Sequence, residues 1–90
     1  MGSNGFRARL KFQKYDGAHD GSGVIAYAIG TDYIVLEFRD QEFYLYSHKK
    51  PGRQHVQALK RLAAEGSGLA TYINQHVRAN YELKLQRPAK

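Results

Sequence analysis

The chain contains 90 residues, 42% of them hydrophobic and 12% aromatic, and carries a formal net charge of +6. That length provides for one hydrophobic core, and the apolar fraction is typical of a globular domain rather than a disordered segment. The absence of cysteine excludes a disulfide framework, a thiolate metal site and a cysteine nucleophile.

The N-terminal segment alternates between apolar and basic residues. The apolar set is Phe6, Ala8, Leu10 and Phe12, and the basic set is Arg7, Arg9 and Lys11. Alternation with a period of two predicts an extra N-terminal strand over about residues 6–14, with Phe6, Leu10 and Phe12 facing inward. The basic row either contacts a partner or protects a sheet edge from pairing with another sheet, and we favour edge protection.

A series of short strands follows this segment. Residues 16–23 are rich in glycine and indicate a loop. We predict strands over residues 24–29, 33–39 and 43–46, separated by short polar turns. In the middle strand Ile34, Leu36 and Phe38 share one side. Such short connections favour an antiparallel meander.

The hydrophobic period changes to that of a helix after Pro51 and Gly52. One helical stripe contains Val56, Leu59, Leu62 and Ala63, and a second helix, from Leu69 to about Asn80, turns Leu69, Ile73 and Val77 inward. The glycines at 66 and 68 allow the reversal between them. We therefore predict an α+β fold over residues 1–90: a small antiparallel β-meander of about four strands, then two helices packed on one face, with residues 86–90 as a frayed tail.

The order of several short patterns between residues 29 and 81 resembles the KTSC domain, which is named for its occurrence at the C-terminus of some lysyl-tRNA synthetases. The matching segments are Ile29-Gly30-Thr31-Asp32, Phe38, Tyr44-Leu45-Tyr46, Tyr72-Ile73-Asn74, Val77-Arg78 and Tyr81. This resemblance implies a β-strand unit followed by helices, with the N-terminal strand as an addition. The association with a tRNA synthetase makes contact with RNA an expectation.

Positive charge is concentrated in the second half of the chain. Residues 1–45 carry five Lys/Arg and six Asp/Glu, a net −1, whereas residues 46–90 carry nine and two, a net +7. The basic residues that we predict to contact the backbone of RNA or another nucleic acid are Lys49, Lys50, Arg53, Lys60, Arg61 and Arg78. The alternative is that this charge forms only a solvated face.

Two further sets of residues each allow two interpretations. Tyr44 and Tyr46 alternate on one strand and either stack on unpaired bases or pack in the core beneath the helices. Asn74 and Arg78 lie four residues apart, so Arg78 either clamps a phosphate or carboxylate while Asn74 orients it, or both bind backbone groups structurally.

The sequence offers little support for catalysis. His19-Asp20 and His48 are the candidates for a small nuclease, but no metal-ligand spacing accompanies them, so we predict a non-catalytic module without cofactor or metal. The alternative function is a protein-interaction domain that docks on an acidic partner or nucleoprotein complex, or a homodimer joined through a strand edge.

No apolar run reaches the roughly 18 residues of a bilayer span, and Met1 to Asn4 lack the features of a secretory signal. We therefore expect a cytoplasmic protein without a membrane partner.

Overall fold

An antiparallel sheet of five strands in the order β1-β2-β3-β4-β5 forms the framework of the fold. The computed structural model describes residues 10–86, and its strands are β1 (Gln13–Lys14), β2 (Val24–Ile29), β3 (Tyr33–Phe38), β4 (Glu42–Ser47) and β5 (Leu83–Gln86). Between β4 and β5 lie two helices, α1 (Arg53–Glu65) and α2 (Leu69–Tyr72), and α2 continues as a π-helical segment, Ile73–Val77. The predicted α+β class, a meander followed by two helices, is confirmed.

The two sides of each strand face different environments. On β3, Ile34 and Leu36 are fully buried in the core that α1 and α2 cover, together with Tyr46 of β4. The other face of the sheet carries a smaller cluster around Val35 and Phe43. Direct pairing of Ile34 with Tyr46 and of Val35 with Leu45 keeps each apolar set on its own side, as the period of two requires.

Each helix buries the stripe that its sequence predicts. Val56, Leu59 and Ala63 of α1 are buried in the main core, and Leu62 packs against it. The second helical segment buries its own three predicted residues in that core: Leu69, Ile73 and Val77. None of the helices within residues 10–86 is long and apolar enough to cross a bilayer.

Glycines permit the close approach between the end of α1 and the loop after β1. Gly66 has a φ of 79°, and its N–H donates to the carbonyl of Leu62 at 2.9 Å, which ends α1 in a left-handed conformation. A Cβ on Gly17 would lie 2.5 Å from the Gly66 carbonyl oxygen. Only glycine therefore allows these two backbone segments to lie so close.

The strands at the two edges differ from the predictions. The segment that follows the helices pairs with β4 as a fifth strand, and Gln86 belongs to it rather than to a frayed tail. At the other edge, β1 spans only Gln13–Lys14, while Leu10 and Phe12 pack against the smaller cluster and Lys11 is exposed. Phe6, Arg7 and Arg9 lie outside the described residues, as does the remainder of the tail.

Candidate functional site

The turn between β4 and α1 holds two of the predicted basic residues at the surface. The buried Ser47 organises this turn, since its Oγ accepts hydrogen bonds from the backbone N–H groups of Lys49 at 3.1 Å and Lys50 at 3.2 Å. The Ser47 N–H also donates to the Lys50 carbonyl at 2.8 Å. Lys49 and Lys50 are both exposed, so the turn presents their ammonium groups to solvent from a constrained backbone.

The N-terminus of α1 adds to the positive potential of this turn. Its N-cap is Gly52, no side chain caps it, and its first turn contains no acidic residue but does contain the exposed Arg53. The amide N–H groups at a helix N-terminus carry a partial positive charge. Within residues 10–86, Lys49, Lys50 and Arg53 form no ion pair. We call these three residues and the uncapped N-terminus the basic corner.

Lys60 and Arg61 are placed differently from the basic corner. The half-buried Lys60 donates from Nζ to the carbonyl oxygens of Gly30 at 2.7 Å and Thr31 at 3.0 Å, so it ties α1 to the β2–β3 turn. Arg61 is exposed and lies 3.8 Å from Glu65 across one turn of α1, a pair of little energetic weight. Lys60 thus has a structural role that the sequence pattern did not indicate.

The predicted stacking pair is largely enclosed by the fold. Tyr46 is fully buried beneath the helices, so the stacking interpretation is wrong for this residue and the alternative, packing in the core, is correct. Tyr44 is half-buried, with its ring centroid 5.0 Å from that of Phe38 and 4.5 Å from that of Tyr81. Burial raises the pKa of both tyrosines, which remain neutral at physiological pH.

Arg78 lies away from the basic corner, at a cleft on the helix-covered side of the sheet. Its Nη1 donates a 2.8 Å hydrogen bond to Asn74 Oδ1, so the two side chains that the sequence places four residues apart are in contact. The cleft has a volume of about 310 Å³, and its floor includes Phe38 and both tyrosines of β4. None of the other predicted basic residues lines it, as far as residues 10–86 show.

In the glycine-rich loop, Asp20 has a structural role as a hydrogen-bond acceptor. Asp20 accepts hydrogen bonds from the hydroxyl of Tyr15 at 2.8 Å, from the Ser22 N–H at 2.8 Å and from the Ala70 N–H at 3.4 Å. Burial alone would raise the pKa of Asp20, but these hydrogen bonds outweigh it and hold that pKa below its ordinary value. The neighbouring His19 is exposed.

Two histidines and a tyrosine form a surface cluster that the sequence analysis did not predict. The Tyr72 hydroxyl lies 2.7 Å from His55 Nδ1, and the ring centroids of Tyr72 and His76 are 4.5 Å apart. The four-residue spacing of Tyr72 and His76 indicates that their side chains are neighbours on a helix. The position of His55 beside them depends on how α1 packs on α2, which the sequence does not show. No group of three or more His, Asp or Glu side chains within residues 10–86 is placed to hold a metal ion.

Comparison of the chain with protein-family models, curated proteins and solved structures found no significant match. The resemblance to the KTSC domain accordingly stays a prediction that rests on the sequence patterns described above.

Proposed function

We propose that this protein is a non-catalytic binding module that contacts the backbone of RNA, or of another nucleic acid, through the basic corner. The observation that carries this proposal is the grouping of Lys49, Lys50 and Arg53, exposed and without an ion pair among residues 10–86, around the uncapped start of α1. Phosphate groups bind to such a combination of side-chain cations and free backbone N–H groups.

The position of Arg53 is unfavourable for the helix itself. A cation in the first turn opposes the helix dipole by about 0.3–1 kcal/mol at an exposed site, and no acidic residue in that turn offsets it. A bound phosphate would reverse this interaction, because it would lie between the N–H groups and the three cations. Arg53, which slightly destabilises the free helix, would therefore stabilise the complex.

This arrangement supports recognition of the backbone rather than of sequence. The basic corner contributes cations and N–H donors, which neutralise phosphates and release counterions. Because Tyr46 is buried, the tyrosine pair does not extend the surface for stacking. With about three phosphates contacted, log affinity should fall with log salt concentration with a slope of roughly −2 to −3.

Fluorescence anisotropy of labelled single-stranded RNA, duplex RNA and duplex DNA, measured over a series of salt concentrations, tests this proposal. The variant Lys49→Gln/Lys50→Gln/Arg53→Gln should weaken binding and reduce the salt slope by roughly 2. A matched control, Lys11→Gln/Lys14→Gln/Arg61→Gln, removes three charges from other exposed positions. Equal losses in the two variants would mean that net charge alone drives binding, and would contradict the assignment of the basic corner.

A second candidate function, protein association through β5, is favoured by a different observation. Among the strands of residues 10–86, β5 is the outermost on its side of the sheet, and its Leu83 is 49% exposed. Leu83 pairs with Leu45, which is only half-buried, so apolar side chains continue up to a strand edge that no other described residue pairs with. Such an edge pairs readily with another strand, and two copies could join antiparallel across it.

Measurement of the association state of the protein tests this second candidate function directly. We expect a concentration-dependent dimer in sedimentation velocity, which Leu83→Lys should dissociate by placing a charge at the joined edge. The exposed Lys14→Leu exchange on the opposite edge strand is the control and should leave the dimer intact. A monomer that persists into the millimolar range would argue against association through β5.

A further inference from the structure

In the part of the chain that the structure describes, the cleft beside Arg78 combines one cation, two aromatic rings and a buried hydroxyl without a hydrogen-bond partner. We propose that it binds a small organic monocarboxylate with a flat apolar body, separately from the basic corner. The volume of about 310 Å³ is at the lower end of small-molecule sites. The proposal does not depend on nucleic-acid binding, because no residue of the basic corner lines the cleft.

The charge of the cleft selects an anion. Among residues 10–86, Arg78 is the only charged residue that lines it. Two acidic residues beside the lining residues have other partners. Asp20, which precedes Gly21 in the sequence, is bound by Tyr15, Ser22 and Ala70. Glu42, which accepts a hydrogen bond from the Tyr44 hydroxyl, lies 3.1 Å from Lys84 Nζ. Arg78 itself bonds only to the neutral amide of Asn74 among the described residues. An anion in the cleft would therefore supply the missing counter-charge.

The hydrogen bond between Asn74 and Arg78 orients the guanidinium group so that it can bind a planar anion. Asn74 Oδ1 accepts from Nη1 at 2.8 Å, which holds one edge of the group and leaves its other N–H donors for a ligand. A guanidinium binds a carboxylate through two parallel hydrogen bonds, and a fixed orientation reduces the entropy lost on binding. A single guanidinium matches the single charge of a carboxylate better than the two negative charges of a phosphate monoester.

The remaining walls suit a flat apolar body. The rings of Phe38 and Tyr44 are inclined at 52° and form the sheet side of the cleft, while Ile73 contributes from the helix side. The loop side is formed by Gly21 and Ser22, and a Cβ on Gly21 would meet no atom within 4 Å. The two rings and Ile73 supply the apolar part of a lining that is otherwise polar, and the side at Gly21 is open, so the cleft has room for a ring that carries a polar group.

Tyr46 provides a second, independent indication of a ligand. Its side chain is fully buried and lines the cleft, and its hydroxyl has no hydrogen-bond partner among the described residues. Leaving a buried hydroxyl unpaired is unfavourable, so such groups normally have a partner. We assign the hydroxyl to hydrogen bonding with the bound ligand.

Titration of the ¹⁵N-labelled protein with 2-naphthoate, followed by NMR, tests the proposal. We expect saturable shifts of the amides of Ser22, Asn74 and Arg78, with little change at Lys49 and Lys50. The isosteric neutral compound 2-naphthamide should bind at least about tenfold more weakly, because it cannot form the charged pair with Arg78. 2-Naphthyl phosphate should also bind more weakly. Tighter binding of the phosphate would overturn the monocarboxylate assignment.

Three variants separate the roles of the residues. Arg78→Gln, an exchange at an exposed position, should weaken 2-naphthoate binding at least about tenfold, and Tyr46→Phe, which keeps the ring, should weaken it about three- to tenfold. Arg53→Gln removes an equal charge from the basic corner and should leave binding unchanged. No saturable shifts with the wild-type protein, shifts confined to residues 48–53, or unaltered binding by Arg78→Gln would each overturn the proposal. None of these outcomes bears on nucleic-acid binding by the basic corner.

Discussion

The hydroxyl of Tyr15 donates a 2.8 Å hydrogen bond to Oδ2 of Asp20 and thereby holds the glycine-rich loop against the helical layer. The same hydroxyl accepts a 3.2 Å hydrogen bond from the backbone N–H of Leu69, at the start of α2. The fully buried Tyr15 therefore links the glycine-rich loop that follows it to the start of α2, 54 residues away in the sequence. Gly21 and Ser22, which form the loop side of the cleft beside Arg78, directly follow Asp20 in the sequence. The hydrogen bond between Tyr15 and Asp20 therefore also positions the cleft.

Removal of the Tyr15 hydroxyl should destabilise the protein without creating a large cavity. We expect Tyr15→Phe to lower the free energy of unfolding by about 1–2 kcal/mol, because it leaves the buried Leu69 N–H without this partner. Urea unfolding monitored by circular dichroism measures the change. Tyr33→Phe is the matched control, since Tyr33 is half-buried and its hydroxyl forms no hydrogen bond among residues 10–86. Equal effects in both variants would contradict the role given to this contact.

Acid should weaken the Asp20 contact. The pKa of Asp20 is below its ordinary value of 3.8 in the folded protein, so its stabilising effect is complete above that value and is lost as pH falls through the lowered pKa. Asp20→Asn should therefore be less stable than wild type at neutral pH, by roughly 1 kcal/mol after allowance for exposure to solvent. In unfolding curves at a series of pH values, the difference should shrink below pH 3.8. A difference independent of pH would contradict a role for the carboxylate charge.

The hydroxyl of Ser47 should matter for both stability and binding, because it holds the backbone of the basic corner. Ser47→Ala should cost about 1 kcal/mol of stability and weaken nucleic-acid binding severalfold, although no charge is lost. Thermal unfolding and anisotropy measure the two effects. Ser67→Ala, at an exposed position between α1 and α2, is the control. Unchanged affinity in Ser47→Ala would show that the lysines do not need this fixed turn.

Lys60 should behave as a structural residue rather than a phosphate contact. Lys60→Met keeps much of the apolar side chain but removes the hydrogen bonds to the carbonyls of Gly30 and Thr31, and should lower stability by roughly 1 kcal/mol. The salt slope of nucleic-acid binding should stay the same. Arg61→Met, which removes the neighbouring charge, should change stability by less than about 0.5 kcal/mol. A smaller salt slope for Lys60→Met would indicate that Lys60 contacts a phosphate, and would contradict a purely structural role.

Most of the fold was predictable because its elements are amphipathic. The alternation of Ile34, Leu36 and Phe38 and the helical stripes around Val56 and Leu69 each identify an element and its buried side. The fifth strand was not predictable, because Leu83–Gln86 is too short to show a period and becomes a strand only by pairing with β4.

The candidate surfaces were predictable only in part. The relation of Asn74 to Arg78 follows from helical spacing, and their hydrogen bond agrees with it. The six basic residues, in contrast, do not form one surface: Lys60 binds backbone carbonyls and Arg78 belongs to a separate cleft. Charge in a sequence shows how many cations exist but not which carbonyls or acids lie beside them.

The sequence alone determined the class of fold, the inward side of each long element and the excess of positive charge, since these depend on composition and on spacing between near neighbours. Only the tertiary structure decided that Tyr46 is enclosed, that Lys60 meets the Gly30 carbonyl thirty residues away, and that Tyr15 meets Leu69 across fifty-four residues. Those contacts depend on the packing of the helices against the sheet and on the direction in which the chain returns, and no local period in the sequence encodes either.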